Sequence, residues 1–169
     1  MEYTTKWKSP IGTLTLATDG TSITGLWMEG QKYFQAGLSS EAQDGKELPV
    51  LQDTVKRLEQ YFSGICTDFA ELPLKPNGTD FQRAVWDQIR RIPYGKTVTY
   101  GRIAAALEAA TGRRTSPRAV GSAVGRNPIS ILIPCHRVTG AGGVLTGYAG
   151  GLERKQLLLE LEKTTEPPK

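Results

Sequence analysis

Apolar and polar residues alternate on both sides of Asp19-Gly20 in TLTLATDGTSITGLWM, Thr13 to Met28. A period of two marks half-buried strands, and an Asp-Gly pair between them marks a tight hairpin. Thr4 to Lys8 adds a third strand. From Pro49 the period lengthens: Leu51, Val55, Leu58 and Phe62 recur at helical spacing, which predicts a helix that stops at Gly64. The stretch LPLKPNGTD, Leu72 to Asp80, has the Pro, Asn and Gly of a connector.

Beyond the connector the pattern is helical. Asp80 is the predicted cap of a helix with Phe81, Val85, Trp86 and Ile89 on one face, ended by Pro93-Tyr94-Gly95. TYGRIAAAL, Thr99 to Leu107, reads as a short second helix. SPRAVGSAVGRN, Ser116 to Asn127, reads as a third, with Ser116 as cap and Pro117 in its first turn. Two short helices joined by a basic, glycine-containing loop resemble a helix-turn-helix. GLERKQLLLELE is a closing helix. The predicted fold is therefore α+β, with an N-terminal small antiparallel sheet plus helix and a C-terminal, mainly helical part. The expected division is a support domain over 1–75, a second domain over 76–163, and a tail over 164–169.

Charge sharpens this division. The chain of 169 residues carries a net +4, but residues 1–79 hold 7 Lys and Arg against 10 Asp and Glu, a net −3, while residues 80–169 hold 14 against 7, a net +7. A basic second half points to a polyanion partner. The third helix is unusually smooth for one that reads bases: Ala119, Ser122 and Ala123 share a face, with Gly121 and Gly125 nearby. Such a surface suits the minor groove, where little sequence information is presented. Arg118 and Arg126 at its ends would then serve phosphate or base-stack contacts. Close helix packing is the other use of small residues.

Composition removes several classes. No apolar run approaches the roughly 20 residues that span a bilayer, and no leader pattern opens the chain, so a soluble, cytoplasmic protein is expected. Two cysteines, Cys66 and Cys135, are too few for a disulfide framework, and with one histidine they make a closed zinc site improbable. No metal is expected.

The one histidine stands beside a cysteine in ILIPCHRV, Ile131 to Val138. A free thiol has a pKa near ~8.5, so little is thiolate at neutral pH. A neutral imidazole within reach, directly or through one water, can take its proton, and a carboxylate on the other ring nitrogen can stabilise the resulting cation. Cys135, His136 and either Glu160 or Glu162 of the closing helix supply those parts. Neighbouring side chains on an extended segment point to opposite faces, so a turn or a bridging water is required.

In order, FQRAVWDQIRRIPYGKTVTYGRIA, RAVGSAVGRNP, ILIPCHRV and TGYAGGLERKQLLLELE resemble the methylated-DNA–protein-cysteine methyltransferases, or O6-alkylguanine-DNA alkyltransferases, over nearly the whole chain. The resemblance implies a ribonuclease H-like first domain and direct, irreversible transfer of an alkyl group from O6 of guanine to Cys135, with the protein consumed in one event. It implies His136 as base through a bound water, Glu162 polarising it, and no cofactor. It implies Arg118 as a finger filling the gap left by a flipped base, and Tyr100 crowding the adjacent phosphate and donating to the guanine ring. Asn127 would link the recognition helix to the active-site strand, and Val138 and Tyr148 to Gly151, including Ala149 and Gly150, would line the pocket. The implied partner is double-stranded DNA containing O6-alkylguanine, bound by a monomer, with O4-alkylthymine as a second lesion and cooperative assembly on DNA both left open. Two rivals remain: an alkyltransferase-like lesion-binding protein, disfavoured by cysteine before His136, and a helix-turn-helix regulator, disfavoured by the smooth third helix.

Overall fold

The computed structural model describes residues 1–164. Its first strands are β1 (Tyr3–Ser9), β2 (Gly12–Thr18) and β3 (Ile23–Met28), joined as an antiparallel meander. Alternation alone would leave one face wet, but Leu14 to Thr18 are buried without a break, so β2 is covered on both sides. A two-residue strand, β4 (Gln43–Asp44), adds to β1 in parallel, giving the order β3-β2-β1-β4.

Helix α1 (Pro49–Phe62) packs over this sheet. Its buried stripe is Leu51, Thr54, Leu58 and Tyr61, whereas Val55 and Phe62 are half-buried. The face is thus turned by about one residue from the apolar repeat, because the Tyr61 hydroxyl has a buried partner, described below. The expected connector is more than a loop. Ile23 N donates to Pro73 O at 2.7 Å and Lys75 N donates to Ile23 O at 2.8 Å, so Leu74 lies alongside β3 as an added parallel bridge.

Helix α2 (Asp80–Arg90) is capped by Thr79, not Asp80. Thr79 Oγ1 accepts from Gln82 N and Gln82 Oε1 accepts from Thr79 N, a reciprocal capping box that leaves Asp80 as the first helical residue, paired with Arg83. Val85, Trp86 and Ile89 are buried as expected, but Phe81 lies in the first turn beyond the core and is 39% exposed. Helix α3 (Tyr100–Thr111) runs one turn further than the sequence suggested and ends at Gly112, whose φ of +71° is the left-handed conformation that a glycine adopts without penalty. Helix α4 (Pro117–Gly125) has Ser116 Oγ accepting from Ala119 N, as predicted. α2, α3 and α4 pack on one another, with Trp86 Nε1 donating to Ala123 O at 2.9 Å. A two-stranded parallel pair, β5 (Val98–Thr99) and β6 (Val138–Thr139), and α5 (Leu152–Thr164) complete the chain. The expected tail lies outside the described residues, apart from the backbone of Thr164 at the end of α5.

The two halves share one hydrophobic core. Leu26 N donates to Pro128 O at 2.9 Å and Ser130 N to Leu26 O at 3.0 Å, so the edge of β3 also receives the segment that leads to Cys135. Among the described residues no helix is long and apolar enough to cross a membrane.

Candidate active site

The resemblance implies an active-site strand after Asn127. ILIP is instead a buried turn, and Ile131 sits at φ +71°, a region that a β-branched residue rarely enters. Ile131 and Ile133 are wholly buried, and Ile133 N donates to Ile129 O at 3.0 Å. Core packing on all sides holds this strained turn, which delivers Cys135 and His136 into a 3-10 turn, Cys135–Arg137. At three residues per turn, neighbouring side chains diverge by about 120° and not 180°, which lets a cysteine and the following histidine serve one site.

Asn127, just past α4, fixes the cysteine. Its Nδ2 donates to Ile133 O at 2.9 Å and to Cys135 Sγ at 3.2 Å, and its Oδ1 accepts from Ile129 N. Burial pushes the Cys135 thiol up, while the Asn127 donor, the Lys155 ammonium and the Tyr148 hydroxyl pull it down. Cys135 is 2% exposed. The Tyr148 hydroxyl is buried, and burial and the nearby Cys135 hold its pKa well above the usual phenol value.

His136 is fully buried. Its Nε2 lies 2.5 Å from Glu162 Oε2, and its Nδ1 has no partner among the described residues. Glu162 is the most heavily engaged carboxylate of the site: besides His136 it accepts from Tyr61 Oη at 2.6 Å, Gly95 N at 3.0 Å, Arg137 Nε at 2.8 Å and Arg137 Nη2 at 3.1 Å. Burial alone would raise its pKa, but the His136 and Arg137 hydrogen bonds and charges outweigh that and hold the carboxyl well below its usual range. Because Arg137 already balances Glu162, a second cation is unfavourable, and burial holds His136 below its ordinary value, as a neutral base. An acceptor-only carboxylate on Nε2 fixes the ring proton there and leaves the Nδ1 lone pair free. Glu160, the other candidate, is on the exposed face of α5 and accepts from Gln156 Nε2.

The sequence missed four contributors. Tyr61 lies 101 residues from Glu162 and in the other half of the chain. Arg137 and Gly95 had only their place in motifs to mark them. Lys155, wholly buried, donates to Val138 O at 2.7 Å and Thr146 O at 3.3 Å, and burial lowers its pKa.

A groove of about 660 Å³ runs along α4, and Tyr148, whose hydroxyl neighbours the thiol, is part of its wall. Arg118, Gly121, Ser122, Gly125 and Arg126 line it, facing Tyr100 and the loop from Thr146 to Ala149. Ala119 is half-buried at the helix surface, but Ala123, grouped with it in the sequence reading, is turned into the core at 3% exposure. Helical spacing sets Ala123 with Val120 and Val124, against α2. Val138 is also interior, in β6, and what it offers the site is its carbonyl, taken by Lys155. Gly150 packs where a β-carbon would meet Met28 Sδ and the Tyr148 ring, so a glycine there lets the loop seat against β3. The Tyr100 hydroxyl accepts from Thr146 Oγ1 at 2.8 Å, which leaves its own proton available to the groove. Among the described residues no three metal-ligating side chains cluster.

A family model described as 6-O-methylguanine DNA methyltransferase, DNA binding domain, matches residues 80–164, and its companion, the ribonuclease-like domain, matches residues 2–76. A methylated-DNA–protein-cysteine methyltransferase of Haemophilus influenzae is 46% identical over 161 residues, 95% of this chain and 86% of its own. One of Mycobacterium bovis is 46% identical over 159 residues, 94% and 91% of the two chains. The crystal structure of Mycobacterium tuberculosis O6-methylguanine methyltransferase superposes with a TM-score of 0.86 at 43% identity, covering 100% of this chain and 97% of that one. A Mycobacterium tuberculosis OGT in complex with DNA gives 0.84 at 43% identity, covering 98% and 94%.

Proposed function

This chain belongs to the 6-O-methylguanine DNA methyltransferase family, and from that premise we propose Cys135 as the sulfur that receives the alkyl group. The protein repairs DNA containing alkylated guanine by transferring the alkyl group to its own cysteine. One observation carries the assignment of roles: His136 is buried with Nε2 held by Glu162 and Nδ1 without a partner among the described residues, in the same turn as the thiol that Asn127 holds.

The chemistry follows from those groups. The Cys135 proton passes to His136 Nδ1, directly or through one water, and the sulfur lone pair attacks the carbon bound to O6 of guanine. The S–C bond forms as the C–O6 bond breaks, and the bonding pair stays with guanine. Tyr100, whose hydroxyl proton is free, gives that proton to the guanine ring as the C–O6 bond breaks, so that the base leaves neutral, and the phenolate regains a proton through water as the His136 imidazolium gives up the one taken from the thiol. The resulting thioether has no group in the site able to reverse it, so each molecule acts once. The division of labour we propose keeps 1–75 as support and assigns the reaction to 76–163.

A stacked guanine must first be rotated out of the duplex. The groove whose wall includes Tyr148, the neighbour of Cys135, suits an extruded nucleotide, and Arg118, exposed in the first turn of α4, is the side chain able to fill the gap. Arg118→Ala is expected to slow transfer from duplex DNA on the order of ten- to a hundredfold, the scale of a few kcal/mol of unstacking, while leaving transfer from free O6-benzylguanine unchanged. Single-turnover rates on the two substrates check this, and equal losses on both remove the finger role.

The reaction itself is tested by intact-protein mass spectrometry after mixing with excess duplex carrying one O6-methylguanine, followed by peptide mapping. One added methyl on the Cys135 peptide, with no further gain on longer incubation, is the expected result. An unmodified protein that still binds the lesion tightly would make it a recognition protein instead.

A further inference from the structure

The groove has one wall that comes from the first half of the chain. β3 ends at Met28, and Gln31 clamps the loop that follows: its Oε1 accepts from Met28 N at 2.6 Å and its Nε2 donates to Lys32 O at 3.1 Å. Lys32 N then donates to Ala149 O at 3.0 Å, tying the loop to the wall of the nucleotide groove. The next residue, Tyr33, is in the left-handed region at φ +56°, a conformation uncommon outside glycine and asparagine, and its ring is 41% exposed. The Arg126 guanidinium lies over that ring, its carbon 3.9 Å from the centroid.

This stacking covers one guanidinium face and leaves the edge donors open. Among the described residues no carboxylate pairs with Arg126 or Lys32. The groove lining carries Lys32, Arg118 and Arg126 and no acidic side chain, although the first half as a whole is acidic. A planar guanidinium held on an aromatic ring beside a lysine is suited to a phosphodiester: the fork matches two phosphate oxygens, and the ring removes rotamer freedom that binding would otherwise have to remove.

We propose that the Lys32–Tyr33 corner is a DNA-contacting site contributed by the N-terminal half, in which Tyr33 holds Arg126 and, with Lys32, receives a backbone phosphate of the lesion-bearing strand at the C-terminal end of α4. The proposal rests on the alkyltransferase reading. It places Arg118 and the Tyr33–Arg126 pair at opposite ends of one helix, so that the strand is held on both sides of the extruded nucleotide.

The test is a comparison of the full-length protein with Tyr33→Ala, Tyr33→Phe and Lys32→Ala. Tyr33→Ala is expected to lower the second-order rate on O6-methylguanine duplex roughly two- to fivefold, the scale of one cation–π contact, with no change on free O6-benzylguanine. Tyr33→Phe retains the wild-type rate, because the ring remains. Lys32→Ala is expected to reduce the slope of log K against log salt by about 1 on unmodified duplex. Duplex rates unchanged in both Tyr33→Ala and Lys32→Ala would overturn the proposal, and so would equal losses on duplex and free base, which would make the corner only a pocket wall. Wild-type transfer measured in the same series keeps the two readings apart: if the wild type gains no methyl, the alkyltransferase reading fails, and the salt slopes on unmodified duplex still decide for or against the corner.

Discussion

Cys135→Ala protein mixed with duplex carrying O6-methylguanine gains no mass, yet binds the duplex as the wild type does. The rate of transfer falls by more than about a thousandfold, because removing a nucleophile removes the reaction path and not one contribution to it. Binding survives because Cys135 is 2% exposed and is not part of the groove wall, while the residues proposed to face DNA are on the outer side of α4 and the loops around it. Its dissociation constant is expected to stay within about twofold, the range of changes that touch no contact. The fold also tolerates the truncation: Asn127 Nδ2 keeps its bond to Ile133 O, and the lost volume is a single sulfur. Cys135→Ser is the sharper variant. Its hydroxyl can still accept from Asn127, so the turn is preserved, but an alcohol is too weak an acid for a neutral imidazole to activate at this rate. Mass spectrometry and an anisotropy titration on the same samples read both halves of the result. A methyl adduct that persists in either variant, mapped to the peptide containing Cys66, would move the chemistry to that half-buried thiol, which desolvation makes a poorer nucleophile at neutral pH.

What could be read along the chain was whatever repeats along the chain. The hairpin around Asp19-Gly20 and the Ser116 cap before Pro117 are local signals, and the structure contains both. The errors at Phe81 and Ala123 share one cause: a helical period locates a stripe but not its width, and in each case one residue at the margin fell on the other side. Contacts between distant segments left no local trace. Nothing near Tyr61 says that its hydroxyl reaches a carboxylate on the last helix, and nothing near Tyr33 says that its ring lies under Arg126. Lys155 was hidden for a different reason, since a lysine in a helix of alternating charges reads as solvated until its ammonium is seen to donate to the carbonyls of Val138 and Thr146. The backbone at Ile131 is a tertiary effect too: an isoleucine in the left-handed region contradicts its own preference and persists only because a closed core surrounds it.

Glu162→Gln is expected to damage both rate and stability, in ways that separate. The amide has one acceptor oxygen and one donor group in place of two acceptors. If its oxygen takes the Oε1 place and keeps Arg137 Nε and Gly95 N, its NH2 takes the Oε2 place and faces His136 Nε2, which then has to accept, and the ring proton moves to Nδ1. That tautomer has no lone pair for the thiol proton, and the imidazolium loses its stabilising charge. A loss on the order of 10²–10⁴ in single-turnover rate follows, as for a serine protease whose orienting aspartate becomes asparagine. The stability effect comes from Arg137, whose guanidinium is 8% exposed and would be left without a counter-charge. Breaking such a pair costs about 3 kcal/mol, a fall in Tm of roughly 6–12 °C at this size. Since the folded carboxyl titrates well below its unfolded value of about 4.3, the wild-type advantage is constant above that value and shrinks as pH falls toward the folded one. Rates on free O6-benzylguanine, taken well below both melting temperatures, isolate the chemical effect. Glu160→Gln, on the exposed face of the same helix, should leave rate and Tm unchanged. A Glu162→Gln protein that melts early but transfers at the wild-type rate would reduce Glu162 to a tether for Arg137 and leave His136 to act without it.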